Sequence, residues 1–234
     1  MLIEILKRNF LFQNLAAWLV SKIPCVVSHN FQKYGALKKA FYLTALERLD
    51  GDYLEFGVFT GSSFVFSMKI HRQLRYLGDI KTRFFGFDSF TGFGKVSDED
   101  KHPFYLDSIF TVNAEKVIRN IKKQGRRCET TIVKGYFEES LKEKVIADFG
   151  IQKSRIVFID CDLKEPSRLV LEFVRPSLQQ GMILVMDDFF SYRGSETKGV
   201  AGAFYEFCEK YPNLKWRKLL DYGYGGAAYI LVES

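Results

Sequence analysis

Apolar residues recur at two different periods along this 234-residue chain, and the change of period divides it. In the first fifty residues Leu2, Ile5, Leu6, Phe10 and the stretch 15–20 return at roughly helical spacing until Pro24 interrupts them. Such spacing predicts a helix, because side chains three and four apart share one helix face. A second run, 33–49, sets Leu37, Ala40, Phe41, Ala45 and Leu46 on one stripe and predicts a second helix. From Asp52 onward, short apolar runs alternate with longer amphipathic ones. They predict strands at 53–57, 83–88, 130–134, 155–160 and 182–187, and a terminal strand pair at 215–220 and 227–232. Between them the pattern predicts helices at 62–77, 108–123, 138–149, from Pro166 onward, and at 199–210.

That alternation implies an α/β fold: a Rossmann-like, mostly parallel, seven-stranded sheet with helices on both faces. The runs at 155–160 and 182–187 are almost wholly apolar, as strands covered on both sides must be. The expected organisation is an N-terminal helical cap, 1–50, followed by an α/β domain, 51–234. The cap packs on the domain or on a neighbouring subunit of a homo-oligomer; attachment to a membrane surface is the minor alternative. Four strands end in Gly57, Asp88, Asp160 and Asp187. Open α/β sheets bind ligands beyond the carboxyl ends of their strands, so the polar residues collect where a site belongs.

Composition narrows the class. With 47% hydrophobic and 26% charged residues the chain is that of an ordinary soluble globular protein. No run approaches the ~18 apolar residues of a membrane span; the nearest, 10–20, is broken by Gln13 and Asn14. No small-residue cleavage site follows it, and Lys22 stands where one belongs. Cys25, Cys128, Cys161 and Cys208 are scattered and form no C-x-x-C pair, which suits a reducing compartment. A cytoplasmic location is expected. The net charge is +6, and residues 1–50 hold seven basic side chains against three acidic ones. A basic surface can meet phosphorylated or anionic partners, but no compact basic-aromatic motif points to nucleic acid.

The segment Glu55-Phe-Gly57-Val-Phe-Thr60-Gly61-Ser62-Ser63 joins the first strand to its helix. Its glycines let the backbone turn sharply and approach a ligand, and the helix that follows offers free N–H groups. A nicotinamide enzyme favours G-x-G-x-x-G, whose third glycine is absent here; the looser E-x-G-x-x-x-G form suits the methionine end of S-adenosylmethionine. Asp88, followed by Ser89, can accept from both hydroxyls of a ribose. Gly135, Tyr136 and Phe137 stand where an adenine ring would lie, an aromatic against its face.

Taken in order, GDYLEFGVFTGSS, FFGFDSFTGF, VKGYFEESL, VFIDCDLKEPS and GMILVMDDF followed by KGVAGAFYEF resemble the macrocin O-methyltransferase-like family, bacterial enzymes that methylate sugar hydroxyls. The resemblance covers about residues 51–208. It implies a class I methyltransferase fold, S-adenosylmethionine as cofactor, usually a divalent metal, and a saccharide, glycoside or related polyol as acceptor. Asp160, Asp187 and Asp188 match the family's metal ligands. On charge alone, three converging carboxylates raise one another's pKa unless a cation relieves them, and Mg²⁺ suits such ligands. The alternative is that Asp160 and Asp188 cap turns while Asp187 pairs with a lysine. The sequence departs from the family where its D-G-D-L-Y-E-S pattern reads Asp160-Cys-Asp162-Leu-Lys164-Glu-Pro166. Lys164 and Asp162 are the candidate bases, and Asp160 completes the catalytic group. His29, His71 and His102 all lie upstream of the metal-type motifs, and none matches the family's catalytic histidine. Two further readings compete: a nucleotide-dependent oxidoreductase, disfavoured by the missing glycine and Tyr-x-x-x-Lys pair, and a non-catalytic cofactor-binding protein on the same fold.

Overall fold

In the computed structural model, which describes residues 9–105, 110–141 and 144–234, the apolar runs form one seven-stranded sheet. The strands are β1 (Asp52–Phe56), β2 (Phe84–Asp88), β3 (Thr130–Lys134), β4 (Ser154–Ile159), β5 (Ile183–Met186), β6 (Lys215–Tyr222) and β7 (Gly226–Glu233). Their order is β3-β2-β1-β4-β5-β7-β6, and only β7 runs against its neighbours. The helices are α1 (Phe10–Ser21), α2 (Cys25–Leu46), α3 (Ser62–Gln73), α4 (Ala114–Gln124), α5 (Lys164–Val174) and α6 (Gly199–Lys210).

Strand alternation builds two cores. Tyr53, Phe84, Ile156, Phe158 and Val185 face α2, α3 and α4, where Leu37, Phe41, Phe64 and Ile121 meet them. Leu54, Phe56, Phe87, Ile159 and Met186 face α5 and α6, against Val170, Val174 and Phe204. The order reverses direction between β1 and β4, and a cleft opens at the carboxyl ends there, as expected at such a switch point.

The elements differ from the expected bounds for local reasons. The second N-terminal helix begins at Cys25, directly after Pro24, well before residue 33, since proline is tolerated at a helix start. The first begins at Phe10, where the Asn9 side chain accepts from Leu11 and Phe12 N–H; Leu2, Ile5 and Leu6 lie outside the described residues. α4 starts at Ala114 instead of 108, because Asn113 caps it by accepting from Lys116 N–H at 2.9 Å. The helix expected at 138–149 is two single turns, Phe137–Ser140 and Ile146–Phe149, the second stopped by Gly150 at φ +69°.

α2 belongs to the domain core. Ala36, Leu37, Ala40, Phe41, Thr44 and Ala45 are all buried, and Arg155 of β4 clamps them to the sheet. Its guanidinium donates to Thr44 Oγ1 at 2.7 Å, Phe41 O at 3.0 Å and Thr82 Oγ1 at 3.1 Å. Burial lowers its pKa to about 10. No residue of α1 is buried.

Candidate active site

The loop after β1 owes its shape to one close approach. Gly57 (φ +93°) lies so near β4 that a Cβ there would sit 1.7 Å from the Asp160 carbonyl oxygen. Gly61 (φ +78°) caps α3, and its missing Cβ leaves room for Ile121 of α4. Glu55 points inward beneath the loop: Tyr53 donates to one oxygen and Ser63 Oγ to the other, at 2.6 Å. Burial pushes its carboxyl up to about 8, against those two hydrogen bonds.

Beyond this loop, Gly57, Asp88, Ser89, Gly135, Tyr136, Phe137, Asp160 and Asp162 line one cleft, together with Phe59, Phe93 and Phe110. Asp88 accepts from Phe59 N–H at 2.7 Å and Phe90 N–H at 2.5 Å, so it orders the loops on either side. Burial raises its pKa, and those hydrogen bonds oppose the rise. Ser89 donates to Gly92 O, and Thr91 donates to the Tyr136 hydroxyl at 3.0 Å. Glu55, Thr60, Gly61 and Ser62 are not on the cleft wall: Glu55 and Gly61 are buried, and Thr60 and Ser62 are exposed to solvent.

At the other end, Asp160, Asp187 and Asp188 each offer an oxygen within 4.8 Å of the others. Asp162 and Asp188 hold φ of +62° and +51°, a strained backbone that persists in proteins chiefly at functional sites. Burial pushes Asp160 up to about 7, with Lys33 opposing and Asp187 and Asp188 adding to the shift. Burial and then Asp188 drive Asp162 well above the usual carboxylate range. Asp187 goes the other way: despite burial, Lys33 and His29 hold it below that range.

Lys33 and His29 come from α2. Lys33 Nζ lies 3.0 Å from Asp160 Oδ2 and 2.5 Å from Asp187 Oδ2. His29 Nδ1 accepts from Tyr224 N–H at 3.2 Å, so its proton sits on Nε2, 3.1 Å from Asp187 Oδ2. Tyr105 donates to Asp188 Oδ1 at 2.9 Å. The expected alternative of Asp187 paired with a lysine is therefore present in the structure. The donor set still fits a hard divalent cation, since Asp187 Oδ1 is buried without a hydrogen-bond partner and Lys33 engages only Oδ2 atoms.

Lys164 is the candidate the structure moves. Its ammonium pairs with Glu206 of α6 at 2.5 Å and is absent from the cleft wall. Its backbone N–H donates to Asp100 at 2.7 Å. Asp100, in the loop after β2, caps α5 by accepting from both Lys164 and Glu165 N–H. The sequence reading missed Lys33, His29, Tyr105 and Asp100. For the first two a signal existed: His29 and Lys33 extend the buried stripe of Ala36, Leu37 and Ala40 by two turns.

The sheet order, with its cleft at the switch point, is that of the Rossmann-like class I methyltransferase fold. The chain belongs to the macrocin-O-methyltransferase (TylF) family, whose sequence profile matches residues 25–208 and so takes in α2. It is a methyltransferase enzyme. Among solved structures it is similar to the O-methyltransferase NovP, with TM-score 0.69 and 18% identity over 86% of this chain and 80% of that one. The calicheamicin methyltransferase CalS11 gives TM-score 0.65 and 22% identity over 98% of this chain and 89% of that one. An O-methyltransferase from Bacillus cereus in complex with SAH gives 0.55 and 15% over 85% and 81%. No curated protein sequence matches significantly.

Proposed function

We propose that this enzyme transfers the methyl group of S-adenosylmethionine to a hydroxyl of a saccharide or related polyol. The observation that carries the reading is one continuous cleft joining Gly57, Asp88 and Tyr136 to Asp160 and Asp162. The methionine end of the cofactor lies along the Gly57 turn, the ribose hydroxyls on Asp88, and the adenine beside Gly135, Tyr136 and Phe137. A relative of the same fold, CalS11, is described as a TDP-rhamnose 3'-O-methyltransferase, which supports a sugar as acceptor.

In the transfer, the acceptor oxygen forms a bond to the methyl carbon as the sulfonium–carbon bond breaks, and the hydroxyl proton leaves to a base. Alignment of the two reactants accounts for ~7–11 kcal/mol of such a barrier. Asp162 is the base we assign. It lines the cleft beside Asp160, and a general base must lie within reach of the hydroxyl whose proton it takes. Asp160, Asp187 and Asp188 would hold Mg²⁺, which when bound lowers the acceptor hydroxyl's pKa. Lys33 balances the charge of Asp160 and Asp187, and Tyr105 orients Asp188.

The test is methyl transfer from labelled cofactor to a panel of nucleotide-linked sugars and glycosides, with Mg²⁺ and after chelation. Transfer to at least one sugar hydroxyl is expected, with a loss of rate on chelation. Tight S-adenosylhomocysteine binding without turnover on any hydroxylated acceptor would overturn the assignment in favour of a non-catalytic protein.

A further inference from the structure

α1 turns a broad apolar face to solvent. Leu11, Leu15, Trp18 and Leu19 are each more than half exposed and share one side of the helix, while Gln13, Asn14 and Ser21 lie on the other; Phe10 and Val20 are exposed as well. A contiguous exposed apolar surface of this kind marks an interaction site. The surface continues past the break at Lys22, where the two helix axes bend by 88°, to Val26 and Phe31 on α2.

Charge identifies the partner. Between Glu4 and Glu47 there is no acidic residue, and the segment carries Lys7, Arg8, Lys22, Lys33, Lys38 and Lys39. These six equal the whole net charge of +6, so the rest of the chain is neutral in sum. Lys22 sits over the Trp18 ring at 5.9 Å, and Lys38 and Lys39 are exposed. A second copy docking through the same face would oppose basic surface to basic surface, since a two-fold contact is self-complementary. An anionic lipid surface instead complements both properties at once. With ~1.5 Å per residue, the 12 residues of α1 are too short to cross a bilayer core of ~30 Å.

We propose that residues 10–31 dock this enzyme on an anionic membrane surface, with α1 lying in the interface and Lys22, Lys38 and Lys39 against the headgroups. Trp18 provides the interfacial anchor that such helices use. The inference does not depend on the methyl acceptor, because it concerns a face on which no cleft residue lies.

The experiment is sedimentation of the full chain with vesicles of phosphatidylcholine alone or mixed with phosphatidylglycerol, without cofactor or acceptor. Partitioning at least about tenfold stronger on the anionic vesicles is expected, weakening as salt is added. In a Trp216→Phe background, Trp18 emission should shift to the blue on binding. The double variant Leu15→Glu, Trp18→Glu should lose binding while its circular dichroism and S-adenosylhomocysteine affinity stay unchanged. Protein remaining in the supernatant with both vesicle types overturns the proposal. So does a dimer in light scattering that the double variant dissociates, without vesicle binding by the wild type.

Discussion

At the carboxyl ends of β1, β2 and β3 the cleft wall is shaped by backbone: the Gly57 turn against Asp160 O, and Asp88 gripping N–H groups of two loops. After β4 the wall carries Asp160 and Asp162, and Asp160 joins Asp187 and Asp188 from the end of β5 in a charged cluster whose partners arrive from α2 and from the loop after β2. The first region is defined by steric fit between neighbouring strands, so each residue's task is local. The second is defined by charge compensation over long sequence separations, so no single segment specifies it. Substitutions should therefore act on folding in the first region and on chemistry in the second.

The largest effect should come from Asp162→Asn, which removes the proposed base without changing shape. A fall in kcat of about 10²–10⁴ is expected, with S-adenosylhomocysteine affinity by calorimetry nearly unchanged. A retained rate would move the base elsewhere in the cluster. Gly57→Ala, in the backbone-defined region, should act on stability. The added Cβ meets the Asp160 carbonyl at 1.7 Å, and a loss of about 3 kcal/mol or more in urea denaturation is expected. An alanine variant as stable as wild type would remove the distinction drawn above.

Lys33→Met sharpens the comparison from the charged side. Without its own cation between Asp160 and Asp187, the cluster should bind Mg²⁺ or Mn²⁺ roughly tenfold tighter by titration calorimetry. Weaker binding would mean that Lys33 holds the carboxylates in place for the metal instead of competing with it. Glu55 offers a pH test in the steric region. Its folded pKa of about 8 exceeds the ordinary 4.5, so the folded state binds more protons between those values. Stability should then decline as pH rises through that window, with Glu55→Gln flattening the slope. The smallest effect is expected for Lys164→Met, a change in kcat of less than about threefold, because its ammonium is turned to Glu206.

Much of the fold was readable because strand cores and their terminal glycines or aspartates are local signals. β3 falls at Thr130–Lys134 as expected, and β1, β2, β4 and β5 lie within a residue or so of the expected runs. Gly57, Asp88, Ser89 and residues 135–137 carry the same local signals and line the cleft, whereas Glu55, Thr60, Gly61 and Ser62 do not. Strand alternation places Glu55 on the face of Tyr53, behind the cleft, which attention to the motif alone overlooks. Lys164 follows Asp160 closely in sequence, but its ammonium pairs with Glu206 of α6. Asp100 was not legible, because capping α5 from sixty-odd residues upstream leaves no periodic or spacing signal. His29 and Lys33 were legible only to an argument that extends a buried helical stripe onto polar residues.

Asp100 also ties together three pieces of the chain: its own loop, the start of α5 and Tyr192. Its carboxylate holds both N–H groups at the start of α5, and its carbonyl accepts from the Tyr192 hydroxyl at 2.8 Å. Tyr105 and Tyr192 pack with Leu163 in a small apolar cluster beneath the same loop. Loss of the Asp100 cap should cost about 0.5–2 kcal/mol, before any apolar contact is broken. Capping over so long a sequence separation makes the start of α5 depend on the loop after β2, so the two segments order together.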